Sequence, residues 1–127
     1  MRGSVGRAHH VMGWQLTTVE DVKRIGGEDL AMCDAEQVAA FERYRVEPYL
    51  APIVRYGKLE TVVVVARRGA QAIYWEDVED GFNLSPVTDD GRILEHWCNQ
   101  DDLGLALNYW IEGRTQPPIV GPAVPVE

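Results

Sequence analysis

Val62, Val63, Val64 and Val65 stand in a row. A strand built from them offers apolar groups to both of its sides, which is stable only where both sides are covered. The chain must therefore build layers around a central strand, and the flanking sequence supplies the neighbours. Residues 53–56 read as a short strand, Gly57 and Lys58 as a tight turn, and residues 60–68 as the valine-rich strand. Arg67, Arg68 and Gly69 turn the chain into residues 70–75, where Ile73 and Trp75 share a face. Links this short join antiparallel neighbours. After the acidic stretch 76–81 come residues 82–87. Asp90 and Gly91 then give the type I′ signal that pairs 82–87 with 92–98. The sheet has four or five strands on this reading.

Helical signals frame it. Thr17 and Glu20 have the spacing of a capping box, followed by Val19, Val22 and Ile25 at helical intervals until Gly26 and Gly27 stop the run. A second box pairs Asp34 with Gln37 and opens a helix with Val38, Phe41 and Tyr44 on one face, closed by Pro48. Near the end, Asn99 is read as the cap of a helix with Asp101 and Asp102 in its first turn. Leu103, Ala106, Leu107, Trp110 and Ile111 form its stripe, and Gly113 stops it. The order of elements predicts an α+β fold, an antiparallel β-meander of four to five strands with two N-terminal helices and one C-terminal helix packed on it.

Residues 12–114 form the single domain in this reading. Residues 1–11 are a loose basic extension, and residues 115–127, with four of the seven prolines, are an extended tail that drapes over the surface or stays disordered. The longest strongly apolar run, residues 62–66, is far shorter than the roughly 20 residues of a membrane-spanning helix. The N-terminus has arginines but no apolar core behind them, so a cytoplasmic protein is expected. In that compartment Cys33 and Cys98 remain reduced thiols. Either a monomer or a weak homodimer through the short edge strand is compatible with the pattern.

Charge is the most uneven property. The 20 acids and 12 bases give a net charge of −8. Between residues 76 and 102 stand Glu76, Asp77, Glu79, Asp80, Asp89, Asp90, Glu95, Asp101 and Asp102 against Arg92 alone, so the whole excess falls in that segment. Turns and helix caps account for about half of these acids. The remainder would form a negative face that repels nucleic-acid phosphate and attracts a basic protein partner. Glu76, Asp77, Glu79, Asp80, Asp89, Asp90, Asp101 and Asp102 are the expected contact residues. The size and charge are analogous to those of immunity and inhibitor proteins, an analogy carried by no motif. Trp75, Trp97 and Trp110 are expected in the core. Trp14, Tyr49 and Tyr56 are uncommitted, and any of them exposed beside the acidic segment would serve as an interface anchor.

Two alternatives come from other classes. His96 and Cys98 lie two apart on an expected strand and so face the same way. That is the start of a thiol-dependent enzyme or redox site, with the orienting group supplied by Asn99, Asp101 or a residue from elsewhere. A small-ligand pocket between sheet and helix is the other. No CxxC, HExxH or calcium-loop pattern is present. Gly26 and Gly27 are followed by acids that would repel phosphate, and His9 and His10 are an incidental pair. Neither a cofactor nor a metal is expected from these motifs.

Overall fold

A computed structural model describes residues 18–119, and in it the valine run occupies a strand covered on both sides. The elements are α1 (Val19–Ala31), α2 (Ala35–Tyr44), β1 (Arg45–Arg55), β2 (Lys58–Arg68), β3 (Gln71–Glu76), β4 (Gly81–Pro86) and α3 (Leu103–Glu112). The strands form one antiparallel meander in the order β1-β2-β3-β4. This is the expected α+β architecture, with two helices before the sheet and one after it.

The alternation of side chains along β2 divides the core. Val63 and Val65 join Ile73, Trp75, Phe82 and Leu84 beneath the helices, where Val22, Ile25, Phe41, Leu103, Leu107 and Trp110 complete the cluster. Val62 and Val64 face the other way and pack with Ala51, Ile53, Ala72, Tyr74, Val87 and Ile93. Among the described residues no helix covers this second face. The irregular segment 88–101 crosses it instead, from the end of β4 toward β1, where Ile93 N donates to Pro52 O.

That segment corrects the expected 82–87/92–98 hairpin. A single bridge, Val87↔Ile93, survives next to the Asp90–Gly91 turn, and Phe82↔Asp101 closes the far end. Between them the chain lifts off the strand edge, and side chains meet its backbone groups. Tyr74 Oη receives the Trp97 N–H at 2.9 Å, Ser85 Oγ receives the Glu95 N–H, and Asn83 Oδ1 receives the Asn99 N–H. Buried backbone polar groups must find partners, and here three side chains replace a ladder.

Other boundaries move for local reasons. The capping box is Thr18 with Asp21, one residue later than expected. α1 continues through Gly26 and Gly27 to Ala31. Each glycine costs about 1 kcal/mol in a helix, but packing of Leu30 against the core and the bond from Leu103 N to Asp29 Oδ2 hold the last turn. α2 has the expected Asp34–Gln37 box but stops at Tyr44, and the chain passes directly into β1. Pro48 falls within the irregular register between Arg45 and Tyr49, where its missing N–H is tolerated on an edge strand. α3 is capped by Asp102 rather than Asn99, and Gly113 ends it at φ 69°. The described part of the tail is docked. Gln116 is buried and accepts from Leu84 N, while Ile119 O accepts from Cys98 N. Residues 1–17, including His9, His10 and Trp14, and residues 120–127 lie outside the described part.

Two glycines distinguish close approach from mere tolerance. A Cβ at Gly81 would stand 2.2 Å from Asn99 O and 2.5 Å from Gln100 Cα, whereas one at Gly26 meets nothing within 4 Å. Gly81→Ala is expected to lose at least about 3 kcal/mol in urea unfolding, because backbone must move. Gly26→Ala should gain about 0.5–1 kcal/mol.

Candidate functional site

The loops at one end of the sheet gather the buried charged side chains Arg55, Glu76 and Asp77 together with His96 and Cys98. β1 ends on Arg55, and the alternation that buries Ala51 and Ile53 carries its side chain to the same, second face of the sheet. Arg55 is 1% exposed. Its Nε donates to Glu60 Oε1 at 2.7 Å, and its Nη1 donates to Glu76 Oε2 and Asp77 Oδ1 at 2.8 Å each. Glu60 comes from β2, Glu76 from the last position of β3 and Asp77 from the adjoining turn. Burial would drive the guanidinium toward its neutral form, but the charges of Glu76, Asp77 and Glu60 more than offset this and hold its pKa above the ordinary arginine value.

Glu76 connects this cluster to a second one. Its Oε2 is occupied by Arg55 and by Val78 N, which donates at 3.1 Å. Its Oε1 is buried and lies 3.1 Å from His96 Nε2, yet takes no hydrogen bond among the described residues. Cys98 Sγ stands 3.4 Å from the same nitrogen. The i, i+2 spacing places His96 and Cys98 on one side of the extended segment, as expected, and that side meets the end of β3. Tyr56 completes the rim with its ring edge-on to His96 at 5.1 Å.

The turn carrying Tyr56 is a two-residue hairpin with φ of 50° at Tyr56 and 75° at Gly57. That is the type I′ arrangement, in which asparagine or glycine is the usual first residue and a tyrosine costs roughly 1–2 kcal/mol. The strain brings an aromatic ring, 44% exposed, to the mouth of the cluster.

The environment of the thiol is the opposite of an activating one. Burial first, and then the negative charge of Glu76, push the Cys98 pKa up to about 11. Activated cysteines sit beside cationic groups that lower the thiol pKa. The imidazole is also wrongly placed for a relay, because one nitrogen faces both the sulfur and the carboxylate. A nucleophile–base–orienter array uses the two ring nitrogens separately. Cys33 is half-buried, donates to Asp29 O at 3.4 Å and, like Cys98, is a free thiol.

The expected acidic face comes apart in space. Glu76 and Asp77 are 0% and 2% exposed and serve Arg55, so they present nothing to a partner. Asp102 caps α3, and Asp101 accepts from Gln116 Nε2 while remaining partly exposed. Glu79, which accepts from Gln100 Nε2, and Asp80 lie in the β3–β4 turn beside the Cys98 cluster. Asp89 and Asp90 are exposed at the opposite end of β4, a six-residue strand, and so about 20 Å away at roughly 3.3 Å per residue. Of the tryptophans, Trp75 and Trp110 are core, while Trp97 is half-buried and donates to Glu95 Oε1. Two clefts lie away from this cluster, one beside α1 lined by Val22, Leu30, Phe41, Val46 and Val65, and one between α2 and α3 lined by Ala40, Tyr44, Arg68 and Trp110. No family model, curated protein or solved structure matches the chain.

Arg55→Met leaves two buried carboxylates without their cation and should cost about 3–5 kcal/mol at neutral pH in chemical unfolding. Cys98 supplies a second expectation. Its folded pKa lies above the 9.0 of a free thiol, so its contribution is fully present below pH 9 and is lost as pH rises toward about 11. With a chelator present, iodoacetamide should modify Cys98 far more slowly at pH 8 than it modifies the same residue in urea-unfolded protein.

Proposed function

We propose that the protein acts by binding a basic protein partner, as an acidic interaction module of the immunity or inhibitor type. Its contact surface in this reading is the end of the sheet formed by the β1–β2 and β3–β4 turns. The observation that carries the proposal is the β3–β4 turn itself. Residues 76–80 hold four acids and no base. Two of those acids are consumed internally by Arg55, while Glu79, which accepts from Gln100 Nε2, and Asp80 are partly exposed at the rim.

Exposed Tyr56 stands beside them in a backbone conformation that a tyrosine adopts only at a cost. Strained residues that persist at a surface mark functional positions, and tyrosine beside carboxylates is the composition of an interface anchor. Long-range attraction by Glu79, Asp80 and Asp101 would speed encounter, and one desolvated carboxylate paired to an arginine of the partner would slow release. The thiol-enzyme alternative loses ground here, because a raised thiol pKa and a shared imidazole nitrogen both oppose nucleophilic chemistry.

The two acidic ends of β4 make the test specific. Glu79→Gln with Asp80→Asn should abolish salt-sensitive capture of a basic protein from a lysate of the native organism. Asp89→Asn with Asp90→Asn, which removes the same formal charge about 20 Å away, should leave capture intact. Equal loss in both double variants would mean that only net charge is read, and unchanged capture in the first would overturn the proposal. Asp77 is unsuitable for the test, since replacing it disturbs the Arg55 cluster.

A further inference from the structure

We propose that Glu76 Oε1, His96 Nε2 and Cys98 Sγ together bind one divalent transition-metal ion, with zinc as the ion whose ligand preferences they meet. The three donor atoms come from the end of β3 and from the segment that crosses the second face. All lie within 4.8 Å of one another.

Two of their three separations are those of a coordination polyhedron. Tetrahedral zinc with a sulfur at about 2.3 Å and nitrogen and oxygen at about 2.0–2.1 Å separates N from O by about 3.3 Å and S from N by about 3.6 Å. The corresponding separations here are 3.1 Å between His96 Nε2 and Glu76 Oε1, and 3.4 Å between Cys98 Sγ and His96 Nε2. Small shifts of side chains admit the ion. Carboxylate, imidazole and thiolate are each established zinc ligands, and three of them leave the fourth position to water or to another ligand, the arrangement of sites that do more than staple a fold.

Hydrogen bonding in the cluster points to the same ion. Glu76 is 0% exposed, and its Oε1 is aimed at the other two donors without receiving a hydrogen bond among the described residues. A buried oxygen left in this state is expensive. A single proton on His96 Nε2, which lies 3.1 Å from Glu76 Oε1 and 3.4 Å from Cys98 Sγ, serves only one of the two at a time, and without it the ring sets a lone pair against the carboxylate. A cation at the centre satisfies all three atoms at once.

The surroundings suit a metal centre. Arg55 Nη1 fixes Glu76 through its other oxygen, the kind of outer contact that orients a metal ligand. Charge favours a dication as well. Glu76 and the Cys98 thiolate offset its two charges, and Asp77 and Glu60, which face the single charge of Arg55, leave one negative charge over. As the metal–sulfur bond forms, Cys98 gives its proton to solvent, and no oxidant or reductant is involved. Partly exposed His96 and Tyr56 line the way in.

Cobalt(II) is the probe, added to the full-length, chelator-treated protein. The expected result is one equivalent bound per chain, with tetrahedral d–d bands and a sulfur-to-cobalt charge-transfer band. Zinc should abolish both, and excess calcium should leave them unchanged, since an oxygen-seeking ion does not compete for thiolate and imidazole. Cys98→Ser should remove the charge-transfer band, and His96→Gln should weaken binding by more than about 100-fold, beyond what loss of an outer contact produces. Cys33→Ser and the His9→Gln/His10→Gln double variant should both keep the band. If Cys98→Ser fails to fold by circular dichroism, His96→Gln alone carries the test. Absence of the band in the parent protein, its persistence in Cys98→Ser, unchanged affinity in His96→Gln, or its loss in the Cys33 or His9/His10 variants would overturn the assignment.

Discussion

The buried guanidinium of Arg55 is the constraint around which the second face is arranged. A charge taken out of water costs several kcal/mol unless carboxylates meet it in good geometry. Here three acids from β2, β3 and the β3–β4 turn do so. This ties the ends of three strands to one another, so the β1–β2 and β3–β4 turns cannot move apart without exposing the cation. The stoichiometry is uneven, with one guanidinium facing three carboxylates. The surplus negative charge spreads to Cys98 and Tyr56, whose acidic groups are both raised, first by burial and then by the charged groups nearby. The Arg55 cluster, through its surplus of carboxylates, therefore sets the electrostatic sign of the site as well as its shape.

Much of the fold is legible in the sequence because it is encoded locally. The valine run, the Asp34 box and the stripe from Leu103 to Ile111 are periodicities readable within one element, and the structure has strands or helices at each. The hairpin expected after β4 fails for a physical reason. Asp90 and Gly91 do mark a turn, though with only Gly91 at positive φ rather than both residues of a type I′ pair, and Gly91 N donates to Thr88 O; the path of residues 95–99 is set by Tyr74, Ser85 and Asn83, which capture its backbone from the neighbouring strands. The first helix runs past two glycines that look like a stop, and nothing nearby in the sequence shows that Asp29 is needed to receive the amide of Leu103.

The site is half legible. The i, i+2 spacing places His96 and Cys98 together, but their third member lies twenty residues upstream at Glu76, at the end of another strand. One signal for it is present. Ala51, Ile53 and Arg55 alternate on one face of β1, as Ala72, Tyr74 and Glu76 do on one face of β3. Two opposite charges at the ends of two apolar faces are a reason to expect a buried pair. Reading the acids of residues 76–102 as a single surface overlooks that period of two, which puts Glu76 inside before any count of charge applies.

The chemistry open to the cluster depends on which atom each group has left to offer. Glu76 gives one oxygen to Arg55 and Val78 and keeps the other toward His96 and Cys98. His96 turns one nitrogen to both neighbours, and Cys98 keeps its proton because its surroundings are apolar and negative. A nucleophile needs the reverse, a positive neighbour and a base with two separate faces. Three lone-pair donors converging from different directions on one point, in a negative field, instead favour a positive species. The same field extends to Glu79 and Asp80 at the rim, so a basic side chain approaching from outside and a cation held within would answer to a single electrostatic design.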